Sequence, residues 1–340
     1  MPLALFALTI GAFAIGTTEF VIVGLVPTIA QQLSISLPSA GLLVSIYALG
    51  VAIGAPVLTA LTGRMPRKQL LLALMVLFTA GNILAWQAPG YETLILARLL
   101  TGLAHGVFFS IGSTIATSLV AKEKAASAIA IMFGGLTVAL VTGVPFGTFI
   151  GQHFGWRETF LAVSILGVIA LISSLILVPN NIPGRASASL RDQLKVLTHP
   201  RLLMIYAITA LGYGGVFTAF TFLAPMMQEL AGFSPSAVSW ILLGYGVSVA
   251  IGNVWGGKLA DKHGAVSALK FIFAALVLLL LVFQLTASVH YAALATVLVM
   301  GVFAFGNVPG LQVYVVQKAE QYTPCLLYTS PSPRDRQKSR

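Results

Sequence analysis

Long runs without a charged side chain most constrain what this chain can fold into. Between Met1 and Gly63 the only Asp, Glu, Lys or Arg is Glu19, and none of these four residue types occurs from Phe271 to Gln317. About 20 apolar residues are enough to cross a bilayer as a helix, and a helix satisfies its own backbone hydrogen bonds in lipid. The runs lack the alternation of a membrane β-barrel. The sequence therefore predicts an all-α integral membrane protein.

Charged residues are scarce and unevenly placed. They make up 8 % of the chain, whereas a soluble protein carries roughly a quarter. The net charge is +10, but the basic residues form short clusters between apolar runs, so we expect contacts with anionic lipid and not with nucleic acid. The single cysteine, Cys325, offers no intrachain disulfide and no metal cluster. We predict no metal and no other cofactor.

Breaks at proline, glycine and charged residues divide the apolar sequence into ten predicted spans. These cover approximately residues 3–31, 39–62, 69–88, 92–119, 125–151, 157–178, 201–229, 236–257, 265–287 and 291–316.

The basic residues predict the orientation of these spans. Of the 19 Lys and Arg residues, only Arg98 and Arg157 fall outside the even-numbered loops and the C-terminal tail. The positive-inside rule then places the N-terminus and all even loops in the cytoplasm. The N-terminus has neither a basic leader region nor a small-residue cleavage site, so we interpret its apolar run as a retained first span.

Composition changes twice outside the spans. Residues 179–200 are polar and basic, and we expect a cytoplasmic linker there between a six-helix bundle (1–178) and a four-helix set (201–323). Residues 324–340 are rich in Pro and Ser and resemble a translated adaptor or read-through fragment. A native basic tail is the alternative. If the tail is foreign, the last two helices of the second half are missing.

An internal repeat relates the two sets of spans. The segment Tyr47–Gly54 reads YALGVAIG and the segment Tyr245–Gly252 reads YGVSVAIG, at an offset of 198 residues. The same offset aligns Pro27 with Pro225. A constant offset indicates that the second half repeats the first in the same orientation, as in one large class of transporters with a site between the repeats near the bilayer midplane.

Five motifs carry a resemblance to a known family. They are Gly16–Pro27 (GTTEFVIVGLVP), Arg98-x-x-x-Gly102-x-x-x-Gly106, Gly143-Val-Pro145-Phe-Gly147, Gly155-Trp-Arg157 and Gly257-Lys-Leu-Ala-Asp261-Lys-His-Gly264. Over residues 1 to about 323 the chain resembles the major facilitator superfamily, and within it the drug:proton antiporter group of the arabinose-efflux-permease type. The resemblance implies two six-helix repeats, of which about ten helices are present here, and a monomer in the bacterial inner membrane.

Two positions depart from the family pattern. The loop after the second span has Gly63 where the superfamily carries an Asp, so we expect the copy at Asp261 to carry the conformational latch. The fifth span reads Gly143-Val144-Pro145 where the antiporter motif has Gly-Pro, which leaves the direction of transport less firmly indicated.

The ionisable residues inside spans are the candidates for chemistry. Glu19 lies roughly 25 Å along the first span, where an acid is costly unless it faces protein or water. A carboxyl group that can be neutral in the membrane and charged in water is a natural proton carrier, and the resemblance implies that role for Glu19. The alternative is an acid that only hydrogen-bonds between helices.

Arg98 is the second ionisable candidate, and its permanent charge needs carbonyls, water or an acid around it. The resemblance implies that Arg98 influences proton transfer. The alternative is that its side chain snorkels to the lipid head groups.

Further candidates are predicted from side-chain type and spacing. The expected substrate-lining residues are Phe20, Tyr47, His105, Phe109, Met132, Phe217, Phe220, Gln228, Tyr245 and Asn253. The expected conformational and packing residues are Gly102, Gly106, Gly143, Pro145, Gly147, Gly252, Gly257 and Asp261. Small residues recur every fourth position in the fifth span (Gly135 to Gly151) and the eighth (Gly244 to Gly256), which indicates close contact with neighbouring helices. The resemblance implies that these two helices pack across the interface between the halves.

Together these features predict a secondary active transporter that exports a small molecule in exchange for protons. A proton-coupled importer or a facilitator of the same fold is the alternative. An intramembrane enzyme is disfavoured because the spans hold no HExxH motif and no acidic cluster, and a channel because no filter motif occurs. Drugs, sugars and nucleosides all remain open as substrates.

Overall fold

The computed structural model describes residues 2–62, 65–121, 125–182 and 200–322. These residues form helices and no strand. The helices are α1 (Ala4–Gln32), α2 (Leu37–Leu61), α3 (Arg67–Trp86), α4 (Tyr91–Ser118), α5 (Ala125–Val138), a π-helical segment (Ala139–Gly143), α6 (Val144–Phe154), α7 (Trp156–Leu177), α8 (Pro200–Thr221), α9 (Leu223–Glu229), α10 (Pro235–His263), α11 (Ala265–Thr286) and α12 (His290–Tyr322).

The predicted spans are confirmed within this part of the chain. Nine helical segments are long and apolar enough to cross a membrane, and the pair α8 and α9, bent by 44°, makes a tenth. The fifth span is α5, the π-helical segment and α6 together. Most of the predicted linker and the whole tail (324–340) lie outside the described residues.

Proline explains the two breaks inside spans. Pro145 has no N–H, and its ring would clash with the carbonyl four residues earlier, at Val141 inside the π-helical segment. The wider π turn accommodates that position. Pro225 stands in the same relation to Thr221, where α8 ends and the bend to α9 begins.

The repeat extends to the helix starts. The Ser36 hydroxyl accepts a hydrogen bond from the Ser39 N–H at the start of α2, and the Ser234 hydroxyl accepts one from the Ala237 N–H at the start of α10. Serine in this position satisfies a backbone N–H that has no partner within the helix. Two equivalent helices of the repeat therefore begin with the same cap.

Two hydrophobic cores lie at opposite ends of the bundle. The first contains side chains from both halves, including Phe20 to Ala30 of α1 and Leu223 to Met227 of α9. The second takes its side chains, among the described residues, only from α1 to α7 and the segment just after α7. The two halves therefore pack against each other at the end of the bundle where α1 ends. At the other end, Leu203, Met204 and Leu211 of α8 are exposed.

The two spans that carry the small-residue stripes pack against each other across the halves, since α10 contacts the π-helical segment and α6. Most glycines of the stripes themselves face helices of their own half. A Cβ atom at Gly135, Gly143 or Gly151 would meet α1, at Thr9, Thr17 or Leu25, within 2.3 Å. A Cβ atom at Gly252 or Gly256 would lie 2.0 Å from a carbonyl oxygen of α12. Across the two halves, a Cβ atom at Gly246 would lie 2.5 Å from the Leu140 carbonyl oxygen, and one at Gly41 would lie 2.7 Å from the Phe222 ring.

Candidate functional site

Glu19 lies where α1, α2 and α4 meet. Its side chain is 19 % exposed, and its Oε2 atom is 3.7 Å from Nδ1 of His105 on α4. The Tyr47 hydroxyl on α2 is 2.9 Å from the same nitrogen. Tyr47 and His105 were predicted as substrate-lining residues, and the structure brings both to the acid. We call Glu19, Tyr47, Arg98 and His105 the acidic group.

Arg98 is buried beside Glu19, at 1 % exposure. Its Nη1 donates to the Thr18 carbonyl at 2.7 Å and its Nε to the Leu43 carbonyl at 3.3 Å. The guanidinium carbon lies 4.2 Å from the centre of the Tyr47 ring, a cation–π distance. Nη2 has no hydrogen-bond partner among the described residues. Arg98 therefore points into the protein, and snorkelling to the head groups is excluded.

Two polar residues connect to Arg98 and are not among those predicted from the sequence. The Thr18 hydroxyl donates to Oδ1 of Asn82 on α3 at 2.7 Å, and Nδ2 of Asn82 donates to the Phe78 carbonyl at 2.8 Å. Both side chains are 0 % exposed. The available signal was Asn82 itself, a carboxamide inside an otherwise apolar span.

Aromatic rings from both halves meet next to the acidic group. Phe20, which follows Glu19, lies 5.9 Å from Phe217 between ring centres, and Phe220 stacks on Tyr245 at 5.1 Å. This aromatic cluster consists of Phe20, Tyr213, Phe217, Phe220, Tyr245 and Phe305. Four of its members are predicted substrate-lining residues, and Tyr213 and Phe305 are additions from the structure. Most of the rings are buried, whereas Tyr213 and Phe217 remain partly exposed.

The other predicted lining residues are dispersed. Phe109 lies 5.0 Å from the His105 ring, so it borders the acidic group. Gln228 on α9 and Asn253 on α10 are half-buried. Met132 is 0 % exposed in the core of the first half, with its sulfur against Gly112. Its helix turns that side chain into this core, and a lining role for Met132 stays a prediction.

Apart from Gly252, the predicted packing residues fall in three groups. Gly102 and Gly106 let α4 pack directly on the backbone of α2. A Cβ atom at Gly102 would lie 2.3 Å from the Tyr47 carbonyl oxygen, and one at Gly106 would lie 2.5 Å from the Val51 carbonyl oxygen. Gly143, Pro145 and Gly147 are buried around the π-helical segment. Near the far end of α10, Gly257 lies against Pro309, and Asp261 is exposed. A latch role for Asp261 stays a prediction.

A polar contact between described residues also joins the halves at the end where they pack together. The Ser239 hydroxyl on α10 donates to Oε1 of Gln152 on α6 at 3.1 Å. Beside it lies a lateral groove of about 870 Å³ between α6, α7 and α10, lined mainly by apolar side chains such as Phe146, Phe149 and Trp240. Phe146 and Trp240 are exposed, so this groove faces the surroundings of the bundle and not the acidic group.

The acidic group can exchange a proton but does not resemble a metal centre. Within the described ranges, no three His, Cys, Asp or Glu side chains are grouped so that they could hold a metal ion. A carboxyl group beside an imidazole, a phenol and a guanidinium is an arrangement that can bind and release protons.

Comparison with known proteins assigns the chain to a family. The Major Facilitator Superfamily profile matches residues 8–323. The chain is 54 % identical over 321 residues to the uncharacterized MFS-type transporter YtbD of Bacillus subtilis, covering 94 % of this chain and 81 % of the relative. It is 43 % identical to the inner membrane transport protein YdhP of Escherichia coli K12, over 93 % of this chain and 81 % of the relative.

The chain is also similar to a more distant relative and to a solved structure. The chloramphenicol resistance protein of Streptomyces lividans is 36 % identical over 78 % of this chain and 68 % of that protein. The structure of a bacterial homologue of the human lysosomal transporter Spinster, inward-facing and occupied, matches with a TM-score of 0.73 at 19 % identity, over 98 % of this chain and 76 % of that one. The chain belongs to the major facilitator superfamily of membrane transporters.

Proposed function

We propose that this protein is a secondary active transporter that exports a small molecule in exchange for protons, with Glu19 as the proton carrier. The observation that carries the proposal is the position of Glu19. It is the only acidic residue in the first 63 of the chain, and its partly exposed carboxyl group lies 3.7 Å from His105. An ionisable residue inside a span is a functional candidate by default, because burying it costs free energy.

Charge balance supports a coupling role for this acid. Arg98 keeps its positive charge in a protein, and no carboxylate oxygen of the described residues lies within ion-pair distance of it. Glu19, about four helical turns from the start and three from the end of the buried stretch of α1, is the acid that can balance this charge. When Glu19 is ionised the pair is neutral overall, and when it takes up a proton a net positive charge remains. Proton binding therefore changes the electrostatic environment that a substrate meets.

The side chains near Glu19 favour an apolar or aromatic substrate. The aromatic cluster lies on one side and the ring of Phe109 on another. A sugar brings several hydroxyl groups, each of which costs free energy when it is buried without a hydrogen-bond partner. A small aromatic molecule loses little on entering such a site. The resistance protein of Streptomyces lividans carries chloramphenicol in its name, which makes that aromatic compound a suitable first probe.

The proposal includes the membrane and the orientation. We place the chain as a monomer in the inner membrane of a bacterium with its N-terminus in the cytoplasm, supported by the basic loops and by the inner membrane relative. The proposed partners are a small-molecule substrate, protons and lipid. The competing function is proton-coupled import or facilitated diffusion by the same fold.

Inside-out membrane vesicles distinguish these functions. Radiolabelled chloramphenicol, uridine and glucose serve as probes, with the vesicle interior made acidic. We expect chloramphenicol to accumulate in vesicles that contain the protein, and a protonophore to abolish accumulation. Accumulation only with the opposite gradient would support import, and equal fluxes with and without a gradient would support facilitated diffusion. Vesicles with Glu19→Gln are the matched control.

A further inference from the structure

We infer that Asn82 is a positioning residue for proton coupling: through Thr18 it holds the turn of α1 that carries Glu19 and keeps Arg98 beside it. This inference rests on the proposed role of Glu19 and adds a fourth helix, α3, to the proton site. Neither Asn82 nor Thr18 touches the exchanging proton.

The hydrogen bonds form one continuous path from α3 to α4. Asn82 is held by its own helix, since its Nδ2 donates to the Phe78 carbonyl at 2.8 Å. Its Oδ1 accepts from the Thr18 hydroxyl on α1 at 2.7 Å, and the Thr18 carbonyl accepts from Nη1 of Arg98 on α4 at 2.7 Å. All three polar side chains are almost fully buried. A displacement of α1 at Thr18 would therefore move Glu19 and the acceptor of Arg98 together.

The Thr18 hydroxyl bonds to a side chain on another helix, unlike the hydroxyl of its neighbour Thr17. The hydroxyls of Thr17, Thr101 and Thr148 donate to the carbonyl four residues earlier in their own helix, which is the ordinary partner of a helical threonine. Thr18 instead donates across to α3. Cross-helix bonds also occur at Thr9, to the Ile131 carbonyl, and at Thr159, to the Gly147 carbonyl. A hydroxyl that bonds between helices fixes their relative position, whereas a hydroxyl bonded to its own helix does not.

The internal repeat indicates that the fold itself does not require this hydrogen-bond network. At the offset of 198 residues, Thr18 corresponds to Val216, Glu19 to Phe217, Asn82 to Leu280 and Arg98 to Thr296. The second half builds equivalent helices with none of these polar residues. The path from Asn82 to Arg98 is therefore a feature of the half that carries the acid.

The position of Arg98 decides how strongly its charge acts on Glu19. A nearby cation stabilises the carboxylate, and the effect falls with distance. Two carbonyl groups and the Tyr47 ring hold Arg98, and the shortest of these contacts is that with the Thr18 carbonyl. Asn82 keeps this contact in place because its hydrogen bond fixes Thr18. Loss of the Thr18–Asn82 bond should therefore weaken the action of Arg98 without removing it.

Infrared difference spectroscopy on the purified full chain in lipid nanodiscs measures this without a substrate. The carboxyl band that disappears in Glu19→Gln reports the protonation of Glu19 as the pH is varied. Arg98→Ala gives the direction and size of the shift in the midpoint pH when the cation is absent. We expect Thr18→Val and Asn82→Leu to shift the midpoint in that same direction, by less than Arg98→Ala and by about half a pH unit or more. The double variant should shift no further than either single variant.

Thr17→Val is the matched control, since Thr17 is the neighbouring residue and its hydroxyl bonds only within α1. It should leave the midpoint unchanged, and Thr18→Ser, which keeps the hydroxyl, should retain the wild-type midpoint. The inference is overturned if Thr18→Val and Asn82→Leu leave the midpoint pH unchanged, as Thr17→Val does. It is also overturned if these two variants only reduce the amount of folded protein and show no shift of the midpoint pH that Thr18→Ser avoids. If no titrating band disappears in Glu19→Gln, the proposed function fails instead.

Discussion

The Nδ1 atom of His105 lies 3.7 Å from the Oε2 atom of Glu19, although the two residues come from different helices. The same nitrogen has the Tyr47 hydroxyl at 2.9 Å, and the ring of Tyr47 lies under Arg98. Each member of the acidic group therefore contacts another member. A change at any one of them should affect both the charge of the site and the packing of α1, α2 and α4.

The first prediction concerns Glu19. Glu19→Gln keeps the size and hydrogen-bonding capacity of the side chain but removes the titrating proton, so it should abolish proton-driven accumulation of substrate while leaving folding nearly intact. Glu19→Asp should keep partial coupling. Proton release on addition of chloramphenicol to the purified protein measures the effect. Equal release from the wild type and Glu19→Gln would return Glu19 to a structural role.

The second prediction separates the two contacts of Tyr47. Tyr47→Phe removes the hydroxyl near His105 and keeps the ring under Arg98, so the loss of unfolding free energy should be about 1 kcal/mol. Tyr47→Leu removes the ring as well and should cost about 2 kcal/mol more, because the buried guanidinium loses its cation–π contact. Thermal unfolding in detergent checks the order. Equal losses in both variants would show that the ring does not stabilise Arg98.

The third prediction tests the backbone contact between α2 and α4. A Cβ atom at Gly102 would lie 2.3 Å from the Tyr47 carbonyl oxygen, so Gly102→Ala should force the helices apart and cost about 1–3 kcal/mol. Gly214→Ala on α8 is the control, since no atom lies within 4 Å of its Cβ position and alanine favours a helix. A melting temperature of Gly102→Ala at or above that of Gly214→Ala would contradict the contact.

The fourth prediction tests the orientation. In a Cys325→Ser background, cysteines at Ser36 and Gly90 should react with a membrane-impermeant thiol reagent in intact cells, and a cysteine at Met65 should react only after permeabilisation. Ser36 and Met65 are exposed at opposite ends of α2. A cysteine at Ser187, in the predicted linker and outside the described residues, should behave like that at Met65. The reverse pattern would place the N-terminus outside.

The spans were predictable because hydropathy is a local property of sequence, whereas the contacts between them were not. Met132 shows the limit: its sequence position does not tell which face of α5 meets the core. The same limit applies to the stripe ending at Gly256, where Gly252 and Gly256 face α12 of their own half. The Thr18–Asn82 bond depends on the relative rotation of two helices, and no local pattern encodes that rotation.

The second hydrophobic core has a consequence for biosynthesis. Its described buried members end at Val178, so all of them precede α8 in the chain and are synthesised before it. Domains generally fold as units, N-terminal first during synthesis. The first six spans can thus assemble in the membrane while the rest of the chain is still being made, and α8 to α12 then insert against a surface that is already in place.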